Sequence, residues 1–479
     1  MIEDTLNWTF WTLLLAVAVW VACRACFGKP PLASGRLAAS LVCFLSLLIT
    51  GIALRIAYVA PLAIIQDIVA AQQALEGKPL PTTEIEPLIR RTLAEERRPA
   101  PMETFWPQLR KEEQQEYDTI ATRISEQAHP PFMTLFIAPF VYFLGVHGSS
   151  LAFSLLSIGC LGMTLVLLCR GLQSSVTTSQ KVLLSSVFLS WYSMFWVVRA
   201  GQLGALLGAL IVIGWYCIRR DRPICGGLAV GVASSLKLFP ALLLIYFLLR
   251  HRRAFLSGVG AIVLLNAVTI ALLGLHSYVD YMHVARYVAD RYRLAPDNWS
   301  LSSTLYRLSG FFNLAPLSSH KALMASSFCL VSAISLLVLI NRKPHCGMAR
   351  FDSEYSLFVG AMTLLSPICW SHYFVVLLLP LAVLANRALR RGATVCTVLG
   401  LLGLILVLGL PDNYVRNVVP FVGHHVSGRL SIAVSMLPSL ALLGMIIWIA
   451  SFTRASLEES AMSDLDRVET VESAEKCLK

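Results

Sequence analysis

Charged residues are scarce in this chain. Lys, Arg, Asp and Glu make up 14% of its 479 residues and hydrophobic residues 56%, and the mean hydropathy is +0.68. This composition excludes an ordinary soluble globular protein. The weak alternating pattern of outer-membrane barrel strands is absent too. Apolar runs long enough to cross a bilayer predict an all-α, polytopic integral membrane protein with about 12 to 13 transmembrane helices.

Clusters of metal-ligating residues are also missing from the sequence. The twelve cysteines are scattered, mostly within apolar runs. One close pair, Cys23 and Cys26, has no second pair nearby, although a structural metal site needs four ligands. We therefore expect neither a metal nor another cofactor.

The net charge of +11 comes mainly from Lys and Arg in short loops between apolar runs, so we assign it to membrane orientation and not to nucleic-acid binding. No basic n-region precedes the first apolar run, so no cleavable signal peptide is expected. We predict an extra membrane helix with a basic cytoplasmic loop over residues 1–36. A membrane domain over 37–451 follows, with an external amphipathic segment at 64–130, and then a disordered, acidic cytoplasmic tail at 452–479.

Two apolar runs are too long for a single span and carry basic residues beyond both ends. The run 224–249 contains Lys237 and Pro240, and the run 355–385 contains Pro367. Proline interrupts helical hydrogen bonding, so each run is predicted to form two short helices around an outward turn. A third run, 132–146, is interpreted as re-entrant, with Pro130, Pro131 and Pro139 as its breakers; the alternative is that a later short run is not a full span.

The polar residues of these runs collect on the predicted external side. They are Asp67, His129, Gln202, Lys237, residues 298–307 and His372. A carboxylate at a membrane mouth is either an interfacial charge or a general base near a lipid-borne substrate. Cations such as Lys237 and Arg307 can hold a lipid phosphate.

Several motifs along residues 37–385 resemble those of polyprenol-phosphate-dependent, type-C glycosyltransferases, and of glycosyltransferase family 87 in particular. In order, they are Gln66-Asp67 with Gly77 and Pro79, Pro130-Pro131, Gly201-Gln202-Leu203, Gly226-Gly227 through Gly231 to Lys237 and Pro240, Asn298 with Ser300 and Arg307, and Ser366-Pro367 with Trp370 and His372. The chain departs from the pattern at His129, where the family often has an aromatic residue, and at Leu80, where Tyr is common.

The resemblance implies transfer of a hexose, mannose, from a polyprenyl-phosphate sugar to an acceptor hydroxyl, with inversion. The reaction would occur at the external face of the plasma membrane, and the acceptor would be a membrane lipid or a cell-envelope glycan. Asp67 would be the catalytic base. The substrate-binding residues would be Gln66, Gln202, Lys237, Asn298, Ser300, Arg307 and His372.

Three alternatives stay open at this point: pentosyl transfer of the arabinofuranosyl type, a polytopic lipid or solute transporter, and a non-catalytic scaffold. Transporters usually show inverted repeats with sites near the midplane, and no convincing repeat is present. His129 and the pair His424-His425 are interpreted as solvated or structural histidines.

Overall fold

The structure is a computed structural model that describes residues 50–51, 53–54, 64–81, 85–95, 129–172, 191–293, 295, 297–312, 320–340, 347–390, 394–410 and 427–451. Every regular element in these ranges is a helix, and they contain no strand. The all-α prediction is confirmed. The predicted helix and loop at 1–36, the tail at 452–479 and His424-His425 lie outside the described residues.

Sixteen helices are described. They are α1 (Ile65–Leu75), α2 (Glu86–Glu95), α3 (Pro131–Leu172), α4 (Tyr192–Ala200), α5 (Gly204–Arg219), α6 (Pro223–Leu236), α7 (Leu242–Arg250), α8 (Arg252–Leu273), α9 (His276–Tyr292), α10 (Leu301–Phe311), α11 (His320–Ile340), α12 (Met348–Leu365), α13 (Leu378–Arg390), α14 (Val395–Leu408) and α15 (Gly428–Ser435), with α16 at Leu437–Ser451. Two 3₁₀ segments, Phe239–Ala241 and Ser371–Leu377, precede α7 and α13.

Three described stretches are long and apolar enough to cross a membrane: α3, α8 and Ser371–Ala388. The number rises to five if two bent helix pairs each count as one span, α4 with α5 at 116° and α15 with α16 at 47°. This supports a polytopic membrane protein. The total of 12 to 13 spans stays a prediction, because part of the chain lies outside the described ranges.

Helix α3 differs from its predicted form. Pro131 starts the helix, but Pro139 lies inside it, and the backbone leaves helical geometry at Gly145, with φ 66° and ψ −170°. Glycine reaches positive φ without a steric penalty, so the interruption occurs at this residue. The prediction that Pro139 breaks the run was wrong.

Both predicted helix breaks are confirmed. Helix α6 stops at Leu236, where Lys237 is extended (φ −154°, ψ 134°), and the chain re-enters helix through a 3₁₀ turn at Pro240. Helix α12 stops at Leu365, before Pro367, and a 3₁₀ segment leads into α13. An ionisable side chain stands at each break. Lys237 directly follows α6, and His372 lies in the 3₁₀ segment that follows α12.

The glycine-rich helix α6 packs closely on α8. A Cβ on Gly227 would lie 2.0 Å from the carbonyl oxygen of Ala254, and one on Gly231 would lie 2.5 Å from that of Gly258. Small residues four apart on both helices allow this approach, as in other membrane helix pairs. The contact holds the end of α6, and therefore Lys237, in a defined place.

Buried ion pairs link the central helices to one another at the ends that lie far from Lys237. Trp215 Nε1 of α5 donates to Asp352 of α12 at 2.9 Å, and Arg219 pairs with the same carboxylate. Arg250 at the end of α7 pairs with Glu354 at 2.9 Å. Since α6 and α7 run to and from the turn at Lys237, this charged layer and Lys237 lie at opposite ends of the helices.

Candidate functional site

Asp67 lies in the first turn of α1, buried to 1% exposure. Its two carboxylate oxygens are each 2.9 Å from Nδ1 of His129, which is 5% exposed and comes just before α3. A carboxylate accepts hydrogen bonds and does not donate them, so Nδ1 carries the hydrogen that it donates to Asp67. Buried carboxylates persist where such a partner stabilises the charge.

Lys237 reaches the same histidine from the break after α6. Its Nζ is 3.3 Å from His129 Nε2, which accepts because Nδ1 holds the ring hydrogen. The same Nζ lies 4.1 Å from the ring centroid of Tyr373, within cation–π range. His129 therefore joins a carboxylate on one side to a cation on the other.

His372 completes this cluster from the second break. It is 2% exposed, and its ring packs against that of Tyr373 with centroids 4.5 Å apart. Neither ring nitrogen has a hydrogen-bond partner among the described residues. Because buried polar atoms are normally paired, the two unpaired imidazole nitrogens beside the lysine–tyrosine contact make His372 a candidate ligand-binding residue.

Asn298 forms hydrogen bonds with the segment that precedes His372. Its Nδ2 donates to the carbonyls of Tyr292 at 3.0 Å and Pro367 at 3.1 Å. Its Oδ1 accepts from the amides of Ser300 at 3.1 Å and Cys369 at 2.9 Å. These four bonds use the whole capacity of the amide group. We infer that Asn298 positions the break before His372, and its predicted substrate-binding role stays a prediction.

Ser300 and Arg307 also bond to backbone groups. Ser300 caps α10, since its Oγ accepts from the amide of Ser303 at 3.3 Å. Arg307 donates to the carbonyls of Ala295 at 2.6 Å, Asn298 at 3.0 Å and Ser435 at 3.1 Å. Burial lowers the pKa of Arg307 to about 10, so it stays a guanidinium at neutral pH. A substrate-binding role for either residue stays a prediction.

Gln66 and Gln202 lie close to the cluster. Gln66 Nε2 lies 3.5 Å from His129 Nδ1, and since both atoms carry hydrogens this is a contact and not a hydrogen bond. Gln202 is buried at the bend between α4 and α5, where Gly201 takes a φ of 60°. Two residues later, a Cβ on Gly204 would lie 2.6 Å from the carbonyl oxygen of His372. The bend therefore adjoins the His372 segment.

The structure thus brings together Asp67, Gln66, Lys237 and His372, while Asn298 fastens the segment before His372, and Ser300 and Arg307 bond to other backbone groups. The sequence analysis missed His129, which it interpreted as solvated or structural. The departure from the family pattern at that position was the available signal. No group of three or more His, Cys, Asp or Glu side chains in the described part of the chain is placed to hold a metal ion.

Curated relatives of this chain include two mycobacterial proteins named polyprenol-phosphate-mannose-dependent alpha-(1-2)-phosphatidylinositol mannoside mannosyltransferase. The Mycobacterium tuberculosis protein is 25% identical over 301 residues, covering 59% of this chain and 67% of the relative. The Mycolicibacterium smegmatis protein is 26% identical over 219 residues, covering 44% of this chain and 48%, about half, of the relative.

A more distant relative is the GPI mannosyltransferase 1 of Kluyveromyces lactis, 21% identical over 290 residues, which cover 57% of this chain and 69% of the relative. No solved structure gives a significant match to the chain. The model of glycosyltransferase family 87 matches residues 128–367, a region that contains His129, Gln202, Lys237 and Asn298. The chain belongs to glycosyltransferase family 87 and is a membrane glycosyltransferase.

Proposed function

We propose that this protein transfers mannose from polyprenyl-phosphate mannose to an acceptor hydroxyl, with inversion, on the external face of the plasma membrane. The observation that carries the proposal is the buried cluster in which His129 joins Asp67 to Lys237 next to His372. The names of the two mycobacterial relatives supply the donor. Family membership favours an enzyme over a transporter or a scaffold.

Asp67 is the proposed base. An acceptor hydroxyl must lose its proton as it attacks, and a positioned carboxylate can take it. Both oxygens of Asp67 lie 2.9 Å from one imidazole nitrogen, which orients the carboxylate and leaves further lone pairs for the acceptor.

The phosphate of the donor would be held by Lys237 and His372. Lys237 offers positive charge to a phosphate that becomes more negative as it leaves, and the ring N–H of His372 can donate a hydrogen bond to one of its oxygens. Both side chains adjoin Tyr373. A phosphate between them would stand on the opposite side of His129 from Asp67.

A single displacement is consistent with this set of groups. The acceptor oxygen forms a bond to the anomeric carbon, the bond from that carbon to the phosphate oxygen breaks, and polyprenyl phosphate leaves with the electron pair. The acceptor proton moves to Asp67. One base and one leaving-group site suffice for a single inversion, whereas a retaining mechanism also needs a nucleophile close to the sugar.

The external location is inferred from charge. Basic residues concentrate on the cytoplasmic side of membrane proteins. Arg219, Arg250 and their partners lie at one end of the helices, and the turn at Lys237 lies at the other. A site at the end that carries Lys237 would receive a lipid-linked donor from the bilayer and an acceptor from outside the cell.

The test uses full-length protein in lipid nanodiscs with radiolabelled polyprenyl-phosphate mannose and a cell-envelope extract as the acceptor source. We expect labelled product from the wild type, with an anomeric configuration opposite to that of the donor. Asp67→Asn should lower kcat by about 10²- to 10⁴-fold, the usual contribution of a general base.

Glu76→Gln is the matched control, because Glu76 lies at the exposed end of the same helix and pairs with Lys78. It should leave kcat unchanged. Full activity of Asp67→Asn at equal expression would refute the base assignment. Turnover with an arabinose-carrying donor and none with the mannose donor would refute the assigned sugar.

A further inference from the structure

Trp370 directly precedes the 3₁₀ segment that carries His372. Its ring is half-buried, and its indole Nε1 is buried without a hydrogen-bond partner among the described residues. Neither ring nitrogen of His372 has a partner there. Two residues of one short stretch therefore hold three buried, unpaired nitrogens. Since buried polar atoms are normally paired, this concentration indicates that a ligand completes them.

Two other buried tryptophans use the same N–H group. Trp215 donates to the carboxylate of Asp352 at 2.9 Å, and Trp191 donates to the carbonyl of Ile405 at 3.1 Å. An indole nitrogen can only donate, so the group that completes it must be an acceptor. A buried donor without an acceptor is costly. We therefore expect a ligand to bring an acceptor atom to Trp370.

Aromatic contacts hold the indole next to the lysine. Trp370 meets Tyr292 edge to face, with ring centroids 5.3 Å apart, and lies 5.6 Å from the ring of His372. Its centroid is also 6.4 Å from that of Tyr373, and the ammonium of Lys237 lies 4.1 Å from the same tyrosine ring. Such contacts restrict the rotamer of the indole. Its N–H therefore keeps a fixed direction beside the imidazole and the ammonium.

The polar groups around this tyrosine ring mainly donate hydrogen bonds. The indole of Trp370 offers one N–H and the ammonium of Lys237 offers three, and neither group can accept. His372 adds a ring N–H. A sugar hydroxyl donates as well as accepts, so its own hydrogen would find few partners here. The oxygens of a phosphate diester only accept, and they match a set of donors with one positive charge.

We propose that Trp370 is a further residue that binds the sugar donor, and that its indole N–H hydrogen-bonds to the phosphate of polyprenyl-phosphate mannose. The inference rests on the proposed function. When the bond between the anomeric carbon and the phosphate oxygen breaks, the electron pair stays on that oxygen and the phosphate gains negative charge. A hydrogen bond from Trp370 strengthens with this charge and so stabilises the leaving group.

The test removes the N–H and keeps the rings. Trp370→benzothienylalanine, introduced by amber suppression, has sulfur in place of the N–H in a fused ring system of the same shape. The full chain in nanodiscs is assayed for mannose transfer and for binding of radiolabelled polyprenyl phosphate and polyprenol. We expect kcat/KM for the sugar donor and the affinity for polyprenyl phosphate each to fall about tenfold, whereas the affinity for polyprenol should not change.

Trp299→benzothienylalanine is the matched control. The Nε1 of Trp299 also lacks a partner among the described residues. This side chain is 0% exposed, however, and its ring stacks on Phe374 with centroids 5.3 Å apart. The control should keep every constant of the wild type. Both variants should also unfold at the wild-type temperature, because a purely structural role of the Trp370 N–H would lower thermal stability instead.

Wild-type affinity for polyprenyl phosphate in Trp370→benzothienylalanine would overturn the assignment. An equal loss for polyprenol would do the same, since that probe has no phosphate. A raised KM for the sugar donor with normal affinity for polyprenyl phosphate would place the N–H on the sugar and also overturn it. A wild type that transfers no mannose would refute the proposed function, whereas the affinity for polyprenyl phosphate decides the role of Trp370 by itself.

Discussion

The Nδ1 atom of His129 lies 2.9 Å from each carboxylate oxygen of Asp67, although 62 residues separate the two in the chain. The start of α3 meets the first turn of α1 at this contact. The same ring reaches Lys237 through Nε2 at 3.3 Å. One imidazole therefore sets the relative positions of the proposed base and of the cation proposed to hold phosphate.

Replacing His129 should lower activity, and the size of the loss should depend on which of its two hydrogen bonds the new side chain can still form. His129→Phe removes both hydrogen bonds and should lower kcat about 10- to 100-fold, since a hydrogen bond to a charged group contributes about 1.5 to 3 kcal/mol. His129→Asn can still donate to Asp67 and should retain more activity. Initial rates at saturating donor would check this order. Wild-type kcat in His129→Phe would show that the residue only packs.

Lys237→Met should weaken donor binding and slow the departure of the phosphate. We expect the KM for the donor to rise about tenfold or more, because a desolvated cation bonds strongly to phosphate. Lys237→Arg keeps the positive charge and should recover part of the loss. Recovery should be incomplete, because a planar guanidinium cannot take the place of the compact ammonium group. Lys78→Met, at an exposed ion pair with Glu76, is the control and should behave as the wild type. A normal donor KM in Lys237→Met would remove the lysine from the phosphate site.

Asn298→Ala should destabilise the protein and reduce activity together. The substitution deletes four hydrogen bonds to the backbone, including those to Pro367 and Cys369 before His372. We expect a loss of about 2 to 4 kcal/mol, because the buried partners stay unpaired. Thermal unfolding in detergent would measure it. Ser309→Ala, which removes one hydroxyl bonded to the carbonyl of Tyr306, should cost much less. A stable but inactive Asn298→Ala would indicate direct substrate contact instead.

Gly231→Val should separate α6 from α8 and displace Lys237. A Cβ at this position would lie 2.5 Å from a backbone carbonyl, so the helices must move apart, at a cost of about 2 kcal/mol or more. Lower thermal stability and a raised donor KM are expected together. Gly260→Ala on α8 has no neighbouring atom within 4 Å and should be neutral or slightly stabilising. Equal stability of the two variants would contradict the close packing.

Much of the architecture follows from local chemistry and was predicted from the sequence. Apolar runs of spanning length require helices in a bilayer, since every backbone polar group must be paired within the segment. Prolines at 240 and 367 explain why helices end near Lys237 and His372. Gly77, with a φ of 68°, ends the short helix that carries Asp67. The break in α3 was misplaced, because a proline was expected to interrupt the helix that Gly145 interrupts.

The sequence by itself determined the helical membrane class, the family motifs and the candidates Asp67, Lys237 and His372, because each depends on residue type and near neighbours. Only the tertiary structure decided that His129 links Asp67 to Lys237, that Asn298 bonds to the backbone of Pro367, and that Arg307 bonds to the backbone of Ser435. These contacts depend on how separate helices pack, and α6 reaches its position only through glycine contacts with α8. Hydrogen bonds between residues far apart in the chain leave no periodic pattern, so packing decides which polar groups meet.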